Sequence, residues 1–163
     1  MKSIVLIAAL VSTQLLTGCK KEDKINPPNT VGGNSITREK LLDKSWKLVS
    51  KTVDPAKSPG FLKAKVTDWY AQMESCQKDN LKSYKGDGSM IFDEGATKCK
   101  SDDAQSTGAT WLFNSDNATI TEKRGSTNKS LTVIEVSAST LKSTYSEDGM
   151  DGKYTYTEIY TAQ

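Results

Sequence analysis

The sequence predicts an all-β domain, an eight-stranded antiparallel up-and-down β-barrel with one or two short helices. Three observations carry that prediction. Apolar and polar residues alternate with period two through most of the chain after residue 45. Turn residues separate these runs at short intervals. A meander of neighbouring strands is left with exposed edges unless it closes on itself. A β-sandwich is the competing architecture, and the short turns favour the meander.

The elements follow in chain order. Ser35 to Leu42 reads as a capped helical turn, with a hydroxyl residue leading and Ile36, Leu41 and Leu42 apolar. Trp46 to Val53 is the first strand. Val66 to Ser75 predicts a second short helix, because Val66, Trp69, Tyr70 and Met73 fall at i, i+3, i+4 and i+7. That stripe reads as packing. Leu81 to Lys85 and Ser89 to Asp93 flank Gly86-Asp87-Gly88, a hairpin signal. Gly108 to Phe113 and Ala118 to Lys123 flank a second turn, and Ser130 to Val136 and Thr140 to Ser146 a third. Lys153 to Thr161 closes the chain, with Tyr154, Tyr156, Glu158 and Tyr160 on one face.

Composition limits the chemistry. The chain has no histidine, which removes Ser–His and Cys–His catalysis and histidine-ligated metals together. Lys plus Arg is 22 against 20 Asp plus Glu, a balance that does not fit a nucleic-acid binder. No nucleophile beside a base, phosphate loop or metal cluster is visible, so no enzyme activity, catalytic residue, metal or cofactor is expected. Ser146 to Gly152 holds three acids without EF-hand spacing and reads as a solvated hairpin turn. Asp93 and Glu94 are adjacent and face opposite sides of a strand, and Asp102-Asp103 reads as a loop.

The first residues read as an address. Met1-Lys2-Ser3 is followed by an apolar run from Ile4 to Leu10, too short for a membrane span of about 20 residues. Leu16-Thr17-Gly18-Cys19 matches a lipobox, and in this segment the chain resembles a bacterial lipoprotein precursor. The resemblance implies cleavage after Gly18, a diacylglycerol on the Cys19 sulfur and an acyl chain such as palmitate on the new amine. Lys21-Glu22-Asp23 resembles a surface-export signal of some Gram-negative lipoproteins. It implies an outer-membrane protein exposed at the cell surface; with an ordinary charged tether the protein faces the periplasm instead. The predicted organisation is a signal peptide over 1–18, a lipid-anchored linker over 19–35 rich in Pro and Gly, and a barrel domain over 36–163.

With Cys19 lipidated, Cys76 and Cys99 remain, and an oxidising compartment favours their pairing. The closed loop of about 24 residues would stabilise the fold by roughly 3 kcal/mol.

Asp43-Lys44-Ser45-Trp46-Lys47-Leu48 resembles the strand-opening tryptophan segment of lipocalin-like domains. The stretches Cys76 to Asn80, Tyr84 to Gly88, Asp93 to Cys99 and Gly108 to Trp111 are similar to lipocalin-like lipoproteins of Gram-negative bacteria. The resemblance spans about residues 37 to 161. It implies an eight-stranded calyx, a Cys76–Cys99 disulfide and a small hydrophobic ligand. Two features depart from it: Lys44-Ser45-Trp46 lacks the glycine usual two residues before the tryptophan, and Asp54 to Ser75 is long for a connection.

The inward-facing candidates for ligand contact are Trp46, Leu48, Phe92, Trp111, Phe113, Ile120, Tyr145 and Tyr156. They either fill the barrel or line a pocket for a small apolar or amphipathic molecule. Whether Leu131 and Val133 or Ile134 and Val136 face inward is left open by the alternation. In the alternative reading the barrel is a scaffold that binds a protein partner in the cell envelope. The partner would bind the outer surface of the barrel or the 54–75 insert, where Phe61, Trp69 and Tyr70 are the anchors.

Overall fold

A computed structural model of the chain describes residues 30, 31, 34–60 and 62–163. The signal peptide, Cys19, the Lys21-Glu22-Asp23 motif and Phe61 lie outside the described residues. Thr30–Val31 (β1) pairs with Asn34–Ser35 (β2) ahead of the barrel. The long strands are Ser45–Lys57 (β3), Ser106–Asn114 (β7), Thr127–Val136 (β9), Thr140–Gly149 (β10) and Gly152–Ala162 (β11). The shorter ones are Val66–Asp68 (β4), Leu81–Tyr84 (β5), Ser89–Asp93 (β6) and Thr119–Arg124 (β8).

All neighbours from β5 to β11 pair in sequence order, and β11 pairs back onto β3, with Tyr156 opposite Val53. Eight strands therefore close an antiparallel up-and-down barrel, and β4 flanks the upper part of β3. Closure satisfies the edge groups that an open meander would expose.

One end of the barrel carries tight connections. Lys85 N–H donates to the Ser89 carbonyl at 2.9 Å across the first of them. Gly88 there sits at φ +85°, where a side chain would be strained. This end is plugged. Arg38–Leu41 forms a 3-10 turn rather than an α-helical one, with Leu42 N–H donating to the Glu39 carbonyl. The Thr37 hydroxyl makes no capping bond, so the turn is held by packing: Leu41 is fully buried. The Trp46 indole N–H donates to the Leu41 carbonyl at 3.1 Å. Ile36, Tyr84, Met90, Trp111, Ile120, Val136 and Leu141 complete this buried cluster.

Two bulges set the facing of the strands. Between Ile159 and Tyr160 the register with β3 shifts, so Val49 is passed over and left half-exposed. Between Lys142 and Ser143 the register with β9 shifts past Ile134. The choice between Leu131/Val133 and Ile134/Val136 is thus resolved by an extra residue. Leu131, Val133 and Val136 are all buried, and Ile134 is 40% exposed.

The helix predicted over Val66 to Ser75 does not form. Those residues divide into β4, a 3-10 turn at Tyr70–Gln72 and the start of a short helix, Ser75–Lys78 (α1). The backbone bonds decide it. Trp69 N–H donates to the Lys51 carbonyl at 2.9 Å, which commits this stretch to the sheet. Asp68 Oδ1 accepts from Ala71 N–H at 2.9 Å and tightens the next turn. α1 is fixed by the reciprocal Glu74–Gln77 capping bonds. Trp69, Tyr70 and Met73 still pack against the core, partly buried. Cys76 and Cys99 are bonded to each other, tying α1 to the loop between β6 and β7. In that loop Gly95 is obligatory, because a Cβ there would lie 2.3 Å from the Asp79 carbonyl oxygen.

Candidate functional site

Opposite the plugged end, the barrel opens between the connections around 58–80, 94–105, Gly125-Ser126 and Met150-Asp151. Several inward positions of the mouth half are charged, beside the buried Val53, Tyr145, Tyr154 and Tyr156. On β5 Lys82 stands two residues before the core Tyr84, and on β8 Glu122 stands two after the core Ile120. On β9 Lys129 precedes Leu131 by two, and on β11 Glu158 falls between Tyr156 and Tyr160. Period two delivers all four side chains to the interior.

These charges are matched. Lys82 Nζ lies 3.1 Å from Glu122 Oε1, which also accepts from the Tyr84 hydroxyl. Glu158 receives Lys51 at 3.1 Å, Lys129 at 3.2 Å and the Tyr160 hydroxyl at 2.7 Å. Burial alone would raise the Glu158 pKa, but Lys129, Lys82, Lys51 and the Tyr160 hydroxyl overcome it and lower it from 4.5 to about 2. Burial, reinforced by Glu122 for Tyr84 and by Glu158 for Tyr160, holds both phenols well above their usual range. Burial lowers the Lys129 pKa, against the opposing pull of Glu158.

Aromatic faces complete the ion pairs. Lys82 Nζ sits 3.9 Å from the Tyr160 ring centroid and Lys129 Nζ 3.6 Å from that of Tyr145. Tyr145 stacks on Tyr156 at 5.0 Å, and Lys51 lies over both rings. A cation held between a carboxylate and a ring face keeps its charge at a lower desolvation penalty.

A cleft of about 280 Å³ opens on this layer, lined by Lys82, Phe92, Glu122, Arg124, Thr127, Lys129 and Tyr160. A recess of about 120 Å³ shares Lys82, Phe92 and Tyr160 with it and reaches Trp46, Leu48 and Leu81 beneath Gln77 and Asn80. Arg124 is exposed at the rim, its guanidinium 5.0 Å from the Phe92 ring.

The candidates named from sequence fall into three groups. Trp46, Leu48 and Phe92 border the recess. Trp111, Phe113 and Ile120 belong to the packed core; Trp111 lies against Tyr84 at 4.8 Å, with Arg38 over its ring. Tyr145 and Tyr156 form the stacked pair beside Lys51. The charged residues of the cleft were not among the sequence candidates. Their signal was a charge at a position of core parity, two residues from a large apolar side chain.

The arrangement suits binding. Among the described residues, the one cluster of possible metal ligands is Glu74, Cys76 and Cys99, and its two sulfurs are joined to each other, leaving no thiolate for an ion.

No protein-family model matches the chain, and no curated protein matches it. A solved structure named "Odorant Binding Protein OBP1" aligns over 77% of this chain and 73% of its own, at 13% identity and a TM-score of 0.40. A likeness of that degree carries no argument about function, and the barrel assignment stands on the strand pairing itself.

Proposed function

We propose that this protein is a lipid-anchored, lipocalin-like binding protein of the bacterial outer membrane, displayed at the cell surface, that takes a small hydrophobic or amphipathic molecule into the mouth of its barrel. The observation that carries the ligand reading is the division of the interior. One end is filled by large side chains, while the mouth half keeps an open cleft walled by rings and charges. The lipobox at Cys19 and the Lys21-Glu22-Asp23 segment support the anchor and the surface location. Acyl chains contribute about 0.8 kcal/mol per buried CH₂, so two or three of them hold a protein on a bilayer.

Native extraction followed by mass spectrometry of bound small molecules tests the ligand reading. Recovery of one compound class from the wild type, and its loss on narrowing the recess with Leu48→Trp, is the expected result. Labelled palmitate incorporated by the wild type and not by Cys19→Ala tests the anchor. Protease sensitivity on intact cells tests the surface location.

The protein-partner alternative has an observation of its own. Leu62 is 91% exposed and Met150 fully exposed, and both border a groove of about 580 Å³ with Lys57, Gly60, Asp151 and Tyr154. Trp69 and Tyr70, the anchors first considered, are packed against the core. A partner lost on Leu62→Asp with Met150→Asp, and kept by variants in the cleft, would favour this alternative.

A further inference from the structure

We infer that the mouth cleft selects a small aromatic carboxylate, with the anion facing Arg124 and Lys129 and the ring held between Phe92 and Tyr160. This rests on the reading of the barrel mouth as a ligand site. Four observations lead to it.

The first is charge. Three lysines, Lys51, Lys82 and Lys129, share two carboxylates, Glu122 and Glu158, and both carboxylates already accept a phenol as well. The interior therefore keeps a surplus positive charge. The second is Arg124. Among the described residues it makes no ion pair, and its guanidinium is held over the Phe92 ring at the rim of the cleft. A guanidinium in that position offers a planar fork of donors that matches a carboxylate.

The third observation is the wall chemistry. Phe92 and Tyr160 belong to both the cleft and its recess, and Trp46 borders the recess. Lys82 covers one face of Tyr160 and Arg124 one face of Phe92, and the remaining faces and edges suit a flat ring. The fourth is size. The recess is about 120 Å³ and is bordered by the buried Trp46, a volume close to that of one or two aromatic rings. The cleft lining sets Lys82, Arg124 and Lys129 against the single carboxylate of Glu122, a balance that favours an anion over a cation.

The test uses the full chain in dodecyl maltoside micelles, with empty micelles as the blank. Calorimetric titrations compare 2-naphthoate with 2-naphthalenemethanol, which share the ring and differ in charge. A charge-assisted contact predicts that naphthoate binds about 10-fold to 100-fold more tightly. Arg124→Gln should lower that ratio at least about threefold while leaving the affinity for the alcohol unchanged, Lys129 keeping part of the preference, and Arg124→Lys should keep an intermediate ratio. Arg124 is exposed, so these variants leave the core untouched. Equal binding of the two probes, or a parallel loss of both in Arg124→Gln, would overturn the charge selection and leave the ligand site standing. Failure of both probes to bind the wild type would overturn the selection and count against the ligand reading itself.

Discussion

The closed end and the mouth of this barrel use the same inward positions for opposite purposes. At the closed end those positions carry Trp46, Tyr84, Met90, Trp111, Ile120 and Leu141, all buried. Nearer the mouth, inward positions carry Lys51, Lys82, Glu122, Lys129 and Glu158. The first half gains from apolar surface removed from water, roughly 25 cal/mol for each Å². The second half contributes less to stability, since desolvating ions offsets much of what their pairing returns. Stability is thus concentrated at one end, and the other end is free to keep an opening.

The largest test of that division is Trp111→Ala. Trp111 is packed against Tyr84, covered by Arg38 and bonded through its indole N–H to the Lys85 carbonyl at 2.9 Å. Urea denaturation should show a loss of about 3–5 kcal/mol. A loss below about 1 kcal/mol would mean that the closed end is not where stability resides.

Next in size is the clasp at the mouth. Cys76→Ser with Cys99→Ser should lower stability by about 3 kcal/mol through the loop released in the unfolded chain. Hydrogen exchange should quicken in α1 and the 94–105 loop and change little around Trp46. Uniform quickening would contradict the separation of the two ends.

Glu158 supplies the pH test. Its pKa lies below its ordinary value, so the ionised form stabilises the fold above about pH 4.5, and that contribution is lost as pH falls toward about 2. The difference between 4.5 and about 2, at roughly 1.4 kcal/mol for each pH unit, is on the order of 3–4 kcal/mol. Glu158→Gln should cost about 2–3 kcal/mol at neutral pH and should flatten the acid limb of the stability curve. An unchanged acid limb would show that the three lysines do not act on this carboxylate.

The smallest effects sharpen the register. Ile134→Thr should change stability by no more than about 0.5 kcal/mol, because the bulge turns Ile134 outward. Val136→Thr buries a hydroxyl two residues away and should cost about 1–3 kcal/mol. The reverse order in thermal melts would place the bulge elsewhere.

Much of the fold was legible in the residues. The strand runs and turns predicted the meander, and alternation put Tyr154, Tyr156, Glu158 and Tyr160 on one face, which the structure buries. The bulges at Val49 and Ile134 were not legible, because an extra residue breaks the period without a distinctive side chain. The helix predicted over 66–75 failed for a related reason. A stripe at i, i+3 and i+4 records only which residues are apolar, and the Trp69 N–H bond to Lys51 belongs to tertiary structure. The cleft was the least legible part. Lys82, Glu122 and Lys129 look like surface charges until strand parity is extended past the neighbouring core residue and their partners across the barrel are known.

The chain enters the barrel at its plugged end. Ile36 is buried there, and Lys40 Nζ donates to the Ser35 carbonyl at 2.7 Å, which fixes the point where the preceding segment departs. Strands of about ten residues at about 3.3 Å each, tilted by about 40°, set the mouth roughly 25 Å along the axis from that point. The described chain thus begins at the pole opposite the opening. The mouth is therefore left clear of the chain's own point of entry, and the cleft opens where no described part of the N-terminal segment crosses it.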